Sequence, residues 1–96
     1  MNIEQITTDK RLAEIFKVLS EPHRISILRI LHENRREMTC GEVGEQLNLA
    51  KSTVSYHFKA LRQAGLTNTR QVSQTKLLSI NETTFEQYLP HFFDVL

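Results

Sequence analysis

Hydrophobic residues recur at helical spacing in the first third of the chain. The capping side chains of Thr7, Thr8 and Asp9 precede a first predicted helix. The apolar face of that helix consists of Leu12, Ile15, Phe16 and Leu19. Ser20 can cap a second helix that has Pro22 in its first turn, and a polar run over residues 32–37 ends it. The pattern therefore predicts two successive amphipathic helices.

A third and a fourth predicted helix are short and lie on either side of a tight turn. Thr39 and Glu42 match the capping-box pattern at the start of the third helix. Asn48 suits the turn, because Asn tolerates the left-handed backbone conformation. The fourth helix is predicted from Lys51 to Ala64, with Gly65 ending it. This arrangement is typical of a helix-turn-helix unit.

The period of the pattern changes after the fourth helix. Residues 66–72 and 76–80 are rich in β-branched and apolar side chains, and a polar turn separates them, which predicts a β-hairpin. Asn81 or Thr83 can cap a last helix, which Pro90 should end. The order of elements predicts a mostly α (α+β) fold: a winged helix-turn-helix whose wing is a two-stranded β-hairpin.

Composition and charge narrow the class of protein. Residues 1–96 are enough for one domain, which we expect to carry dimerising terminal helices. The formal net charge is only +1, yet the stretch from Lys51 to Lys76 holds five cations and no Asp or Glu. A local cationic stretch suits contact with phosphates. The sequence has no apolar run long enough for a membrane span and no leader pattern, so a cytoplasmic location is expected.

The fourth predicted helix has two different faces. Val54, Phe58 and Leu61 fall on one narrow stripe, whereas hydroxyl, amide, phenol and ammonium groups point the opposite way. Such groups can bond base edges and phosphates in a major groove. With the cations of the hairpin, the residues expected to contact double-stranded DNA are Lys51, Ser52, Thr53, Ser55, Tyr56, His57, Lys59, Arg62, Arg70 and Lys76.

Two segments of the chain carry a linked pair of motifs. Residues 19–28 read LSEPHRISIL, and residues 49–66 read LAKSTVSYHFKALRQAGL. The first is similar to the L-x-[DE]-P-x-R-x-x-I-L pattern of the ArsR family of winged-helix repressors. The second resembles that family's S-T-V-S-x-H-L-x-x-L-x-x-A-G-L pattern, with Phe58 in place of a Leu and Ala50 where a capping Ser is usual. The resemblance implies a homodimer whose first and last helices form the interface, and a repressor that a signal displaces from DNA.

The two ends of the chain are more apolar than one small monomer can easily bury, and large apolar patches usually mark interfaces. We therefore expect a homodimer, whose symmetry should match a near-palindromic operator. The residues expected at the dimer interface are Leu12, Ile15, Phe16, Leu19, Phe85, Tyr88, Leu89, Phe92 and Phe93.

No metal site and no cofactor are expected from the resemblance. Family members that sense thiophilic metals carry a C-x-C pair, whose two positions correspond to Thr39 and Gly41 here. Cys40 lies between them, and a single thiol does not make the site of several thiolates that such metals favour. A second family pattern places zinc ligands near the last helix, and His91-x-x-Asp94 matches only one half of that pattern. The sequence identifies no inducer.

Several single residues keep alternative interpretations. Cys40 is either a small half-buried side chain or a thiol whose pKa the start of a helix lowers. His57 is either a hydrogen-bonded packing residue or a phosphate contact. His23 and His32 are expected to be solvated.

Two functions remain open at this point. A sequence-specific DNA-binding repressor is favoured by the acid-free cationic stretch. A winged-helix module that binds proteins and not DNA would account for the near-neutral charge and the apolar C-terminal segment. We do not expect an enzyme, because the sequence has no phosphate-binding glycine loop, nucleophile elbow or paired catalytic carboxylates.

Overall fold

The computed structural model describes residues 2–96 and has the predicted winged helix-turn-helix architecture. Its elements are α1 (Ile3–Leu19), α2 (Pro22–Asn34), α3 (Cys40–Leu47), α4 (Lys51–Gln63), β1 (Thr67–Val72), β2 (Thr75–Ile80), α5 (Glu82–Tyr88) and a 3-10 helix (Phe92–Val95). The two strands form one antiparallel hairpin, so the predicted fold class is confirmed. Within residues 2–96, every helix is too short or too polar to cross a bilayer.

The first two helices do not begin where the sequence predicted. α1 begins earlier, because the side chain of Asn2 accepts a hydrogen bond from the Gln5 backbone N–H at 2.8 Å. The predicted caps Thr7 and Thr8 lie inside the helix, and each hydroxyl donates to a carbonyl four residues back. Ser20 likewise donates to the Lys17 carbonyl and ends α1 instead of capping α2. Hydroxyl side chains can bond in either direction, which is why these predictions were wrong.

The helix-turn-helix unit forms as predicted. Thr39 and Glu42 make both bonds of the capping box, at 3.1 and 3.0 Å. Asn48 ends α3 in the left-handed conformation with φ 56°. Gly44 permits the close approach of the turn, since a Cβ there would lie 2.5 Å from the Leu49 carbonyl oxygen. The predicted end of α4 is also confirmed, with Gly65 at φ 79°.

The core joins all the helices to the base of the wing. Its largest fully buried side chains are Ile15, Ile27, Leu28, Met38, Val43, Val54, Leu61 and Leu66. Met38, between α2 and α3, also exchanges two backbone hydrogen bonds with Leu78 of β2, at 3.1 and 2.7 Å. This bridge ties the wing to the segment that leads into the helix-turn-helix unit.

The wing is a hairpin with a shorter loop than predicted. Val72 pairs with Thr75, so Ser73 and Gln74 alone form the loop, and Ser73 takes φ 57° in place of the glycine common at such positions. After the wing, Asn81 caps α5 by accepting from the Thr84 backbone N–H at 3.4 Å, so Thr83 is not the cap. The helix ends at Tyr88, as the position of Pro90 predicted.

Candidate DNA-binding surface

The outer face of α4 is polar and exposed. Val54, Phe58 and Leu61 are at most 3% exposed and attach the helix to the core, whereas Tyr56 is 68% exposed. Of the ten residues predicted to contact DNA, eight are exposed: Lys51, Ser52, Ser55, Tyr56, Lys59, Arg62, Arg70 and Lys76. Thr53 is half-buried. The exposed residues on α4 offer hydrogen-bond donors, acceptors and positive charge without a carboxylate among them.

His57 lies on the opposite side of α4 and does not belong to this face. The residue is 8% exposed, and its Nδ1 accepts a hydrogen bond from Arg24 Nε at 3.3 Å. The same Nδ1 lies 3.6 Å from Glu21 Oε2. Burial lowers the pKa of His57, and the nearby Glu21 carboxylate opposes that effect in part. The structure thus corrects the predicted DNA contact and supports the packing role, because the imidazole is covered by the N-terminal end of α2.

Arg70 of the wing is exposed but paired with an acid. Its Nε donates to Glu37 Oε2 at 3.0 Å and its Nη2 to Glu37 Oε1 at 2.7 Å, a bidentate contact. These bonds hold the pKa of Glu37 below its ordinary value and raise that of Arg70. No local pattern in the sequence indicates this pair, because the two residues lie 33 positions apart. Arg70 therefore presents less net charge to DNA than its exposure suggests.

A cleft of about 400 Å³ lies where α4 faces the tip of the wing. Lys51 and Ser55 of α4 and Lys76 of β2 line it together with Cys40, so the structure brings one predicted cation of each element to one place. Burial raises the pKa of Cys40, and the two lysines oppose that effect more weakly. The hypothesis of a thiol with a lowered pKa is therefore wrong, because the effect of burial exceeds that of the two lysines.

The predicted dimer interface divides into core and surface residues. Ile15, Leu19 and Phe85 are 0%, 8% and 3% exposed within one chain, so the structure places these three in the subunit core. Phe16 is 55% exposed. The other five predicted interface residues are half-buried: Leu12, Tyr88, Leu89, Phe92 and Phe93. Periodicity shows which face is apolar but cannot tell a face covered by its own chain from one left open.

The C-terminal aromatic side chains form a cluster of their own. Phe85 lies 5.3 Å from Phe92 and 4.8 Å from Phe93, measured between ring centroids. The Phe93 ring also stacks on His32 at 4.5 Å, so His32 is a packing residue and not the solvated one expected. Exposed apolar residues that the sequence analysis missed lie at the two ends of the chain: Ile3, Ile6 and Val95.

Among residues 2–96, one group of side chains could hold a metal ion. Glu21, His23 and His57 each offer a ligand atom, and these atoms all lie within 4.8 Å of one another. The sequence analysis missed the group, because His57 comes from a helix 34 residues beyond His23. The Glu-x-His spacing at residues 21–23 was the available signal.

Comparisons with known proteins agree with this geometry. A family model described as a helix-turn-helix domain matches residues 19–70, more than half of the chain. The chain is 52% identical over 88 residues to the HTH-type transcriptional regulator YceK of Bacillus subtilis, covering 92% of this chain and 88% of that protein. It is 30% identical over 92 residues to the arsenical resistance operon repressor of Staphylococcus xylosus, covering 91% of this chain and 81% of that protein. Both relatives are transcription regulators by name.

A solved structure supports the same fold. The homodimeric winged helix-turn-helix DNA-binding domain Mb0332 of Mycobacterium bovis superposes with a TM-score of 0.78 over 92% of this chain and 81% of that chain. At 19% sequence identity this likeness concerns the fold alone. Fold, motifs and relatives together assign the chain to the ArsR-like family of winged helix-turn-helix transcriptional regulators.

Proposed function

We propose that the protein is a sequence-specific transcriptional repressor that binds a near-palindromic operator as a homodimer in the cytoplasm. The observation that carries this proposal is the exposed, acid-free face of α4, with Lys51 and Ser55 facing Lys76 of the wing across one cleft. A helix that presents such a face, followed by a cationic hairpin, can enter a major groove while the wing follows the phosphate backbone.

Base reading and phosphate anchoring are assigned to different residues. Ser52, Ser55 and Tyr56 lie in the first half of α4, the part that enters the groove deepest in helix-turn-helix proteins. They are proposed to face base edges. The cations that lie later on α4 or on the wing are proposed to bind phosphates: Lys59, Arg62 and Lys76, with a smaller contribution from Arg70 because Glu37 offsets its charge.

The homodimer is proposed to form through the outer faces of the terminal helices. Phe16 at 55% exposure and Val95 at 81% are large apolar groups left uncovered by their own chain. A second copy would cover them and would stabilise a small domain whose core is thin. Two-fold symmetry would then place the recognition helices, α4 of each subunit, on half-sites about one helical turn apart.

Selection of binding sites from random duplexes tests the proposal. Only a sequence-specific protein enriches particular duplexes, and the enriched sequence identifies the operator. Against that operator, Tyr56→Ala should reduce discrimination from random DNA by about 1–3 kcal/mol. Lys76→Ala should weaken operator and random DNA by a similar factor and should lower the salt slope by about one unit for each phosphate that is no longer bound. Tyr56→Phe, which keeps the ring but not the hydroxyl, separates stacking from hydrogen bonding.

A protein-binding module is the second candidate, favoured by the exposed apolar side chains at both chain ends. If selection returns no enriched sequence and neither variant changes retention on duplex DNA, this second function is the better one. If an operator is found but a reporter under its control rises when the protein is expressed, the protein is an activator and not a repressor.

A further inference from the structure

Side chains from two helices converge at the N-terminal end of α2. Glu21 precedes α2, His23 lies in its first turn, and His57 reaches them from the buried side of α4. We propose that Glu21, His23 and His57 bind a divalent transition-metal ion of the zinc type. The site shares no residue with the two family metal patterns considered for this sequence, which fall near Cys40 and near His91.

The distances between the ligand atoms suit a small tetrahedral ion. In a tetrahedral site, zinc bonds of about 2.0–2.2 Å to nitrogen and oxygen place neighbouring ligand atoms about 3.3–3.6 Å apart. His23 Nδ1 lies 3.2 Å from Glu21 Oε1, and His57 Nδ1 lies 3.6 Å from Glu21 Oε2. All three ligand atoms lie within 4.8 Å of one another, so a small rotation of the exposed His23 ring toward His57 would close the site.

A buried carboxylate oxygen is left without a donor at this place. Among residues 2–96, Glu21 Oε2 finds no hydrogen-bond partner although it is shielded from solvent. Such an atom is unfavourable, because it has given up water without gaining a replacement. A cation bound beside it would satisfy that oxygen, so the unpartnered atom is an independent indication of a ligand.

The guanidinium of Arg24 competes with a metal for His57. Its Nε donates to His57 Nδ1 at 3.3 Å, and its Nη1 donates to the Val18 carbonyl at 3.3 Å. Both bonds are longer than the 2.7–2.9 Å of strong charge-assisted bonds, and Arg24 is only half-buried, so it can turn away toward solvent. The competition makes the site weaker than a closed structural zinc site.

The site is open on one side. The side chain of His57 is 10% exposed and forms the base, whereas those of Glu21 and His23 are 34% and 49% exposed. Two imidazoles and one carboxylate leave a fourth position for water, a set that zinc accepts. The exposed rim gives the ion a path of entry.

Titration of the metal-free protein with Co²⁺ tests the proposal. Co²⁺ substitutes for zinc and absorbs visible light in tetrahedral sites. All variants carry Cys40→Ser, so that thiol binding does not contribute. We expect one Co²⁺ per chain, displaced by Zn²⁺. His23→Ala and Glu21→Gln should each weaken binding at least about tenfold, because the loss of partners that merely orient ligands already has an effect of that size.

A matched control exists in the same chain. His91 and Asp94 form an exposed pair with Nδ1 and Oδ2 also 3.2 Å apart, but with no third ligand grouped with them in residues 2–96. His91→Ala should leave the affinity unchanged. Absence of saturable binding, or an equal loss of affinity in His91→Ala and His23→Ala, would overturn the proposal. Circular dichroism of each variant confirms that it is folded, and the test needs no DNA.

Discussion

Replacing Glu37 by Gln should turn Arg70 into a stronger DNA contact. In the structure both guanidinium nitrogens that Arg70 uses are held by the two oxygens of Glu37, at 2.7 and 3.0 Å. The carboxylate offsets the charge of the arginine and would itself repel a phosphate that approached. Gln keeps the size and one acceptor but removes the negative charge, so the arginine becomes available to the phosphate backbone.

The size of the effect follows from counterion release. Each bound phosphate contributes about 0.9 to the slope of log affinity against log salt, so one additional phosphate per subunit steepens the slope of a dimer by about 1.8. Over a fourfold rise in salt this weakens binding by a further factor of about twelve. At low salt, Glu37→Gln should bind random DNA more tightly than the unmodified protein.

Fluorescence anisotropy on random and operator duplexes at several salt concentrations measures both quantities. Glu86→Gln on α5 makes the same change of charge and should alter the slope little. Arg70→Ala should have a small effect alone but should cancel the gain when combined with Glu37→Gln. Two results together would refute the reasoning: Arg70→Ala alone lowers the salt slope by the full value for one phosphate per subunit, and Glu37→Gln leaves the slope unchanged. Arg70 would then bind DNA while it is still paired with Glu37.

Further predictions concern stability and assembly. Thr39→Ala should lower the free energy of unfolding by about 0.5–2 kcal/mol in urea, because it breaks the capping box. Hydrogen bonds from Thr39 and Arg36 hold the pKa of Glu42 below its ordinary value, so in acid the unfolded chain binds more protons than the folded protein. The free energy of unfolding should therefore fall as the pH drops through and below the ordinary range of a glutamate, and Glu42→Gln should flatten this profile. Gly44→Ala should destabilise by about 1–3 kcal/mol, whereas Gly41→Ala, whose added Cβ would meet its nearest atom at 3.8 Å, should be tolerated. Phe16→Glu should give a monomer by light scattering, and an unchanged dimer would exclude α1 from the interface.

Local signals in the sequence predicted the helix-turn-helix unit well. The capping box at Thr39, the turn at Asn48 and the glycine at Gly65 each act within a few residues, so their consequences do not depend on the rest of the fold. The same kind of signal failed at Thr7 and Ser20, where a hydroxyl bonded backwards to a carbonyl instead of forwards to an amide. Pattern alone does not fix the direction of such a bond.

Contacts between distant segments could not be predicted from the sequence. The pairing of Arg70 with Glu37 depends on how the wing packs against the segment between α2 and α3, and the contact of His57 with Glu21 depends on how α4 packs against the start of α2. The same limit applies to Ile15, which periodicity placed on an apolar face but which the subunit's own core covers completely. Spacing indicates the chemistry of a face, whereas only packing decides its partner.

The near-neutral charge of the chain does not argue against DNA binding once the pairing of charges is considered. Acids accompany the cations outside the recognition helix, with Arg36 bound to Glu42 at 3.0 Å and Arg70 bound to Glu37. Within residues 2–96, four cations of the acid-free stretch make no ion pair: Lys51, Lys59, Arg62 and Lys76. A phosphate backbone interacts with these unpaired cations at short range and not with the net charge of the chain, because salt screens charges beyond about 8–10 Å. The net charge of +1 therefore reports the acids of the other helices, while the surface that would meet DNA is cationic.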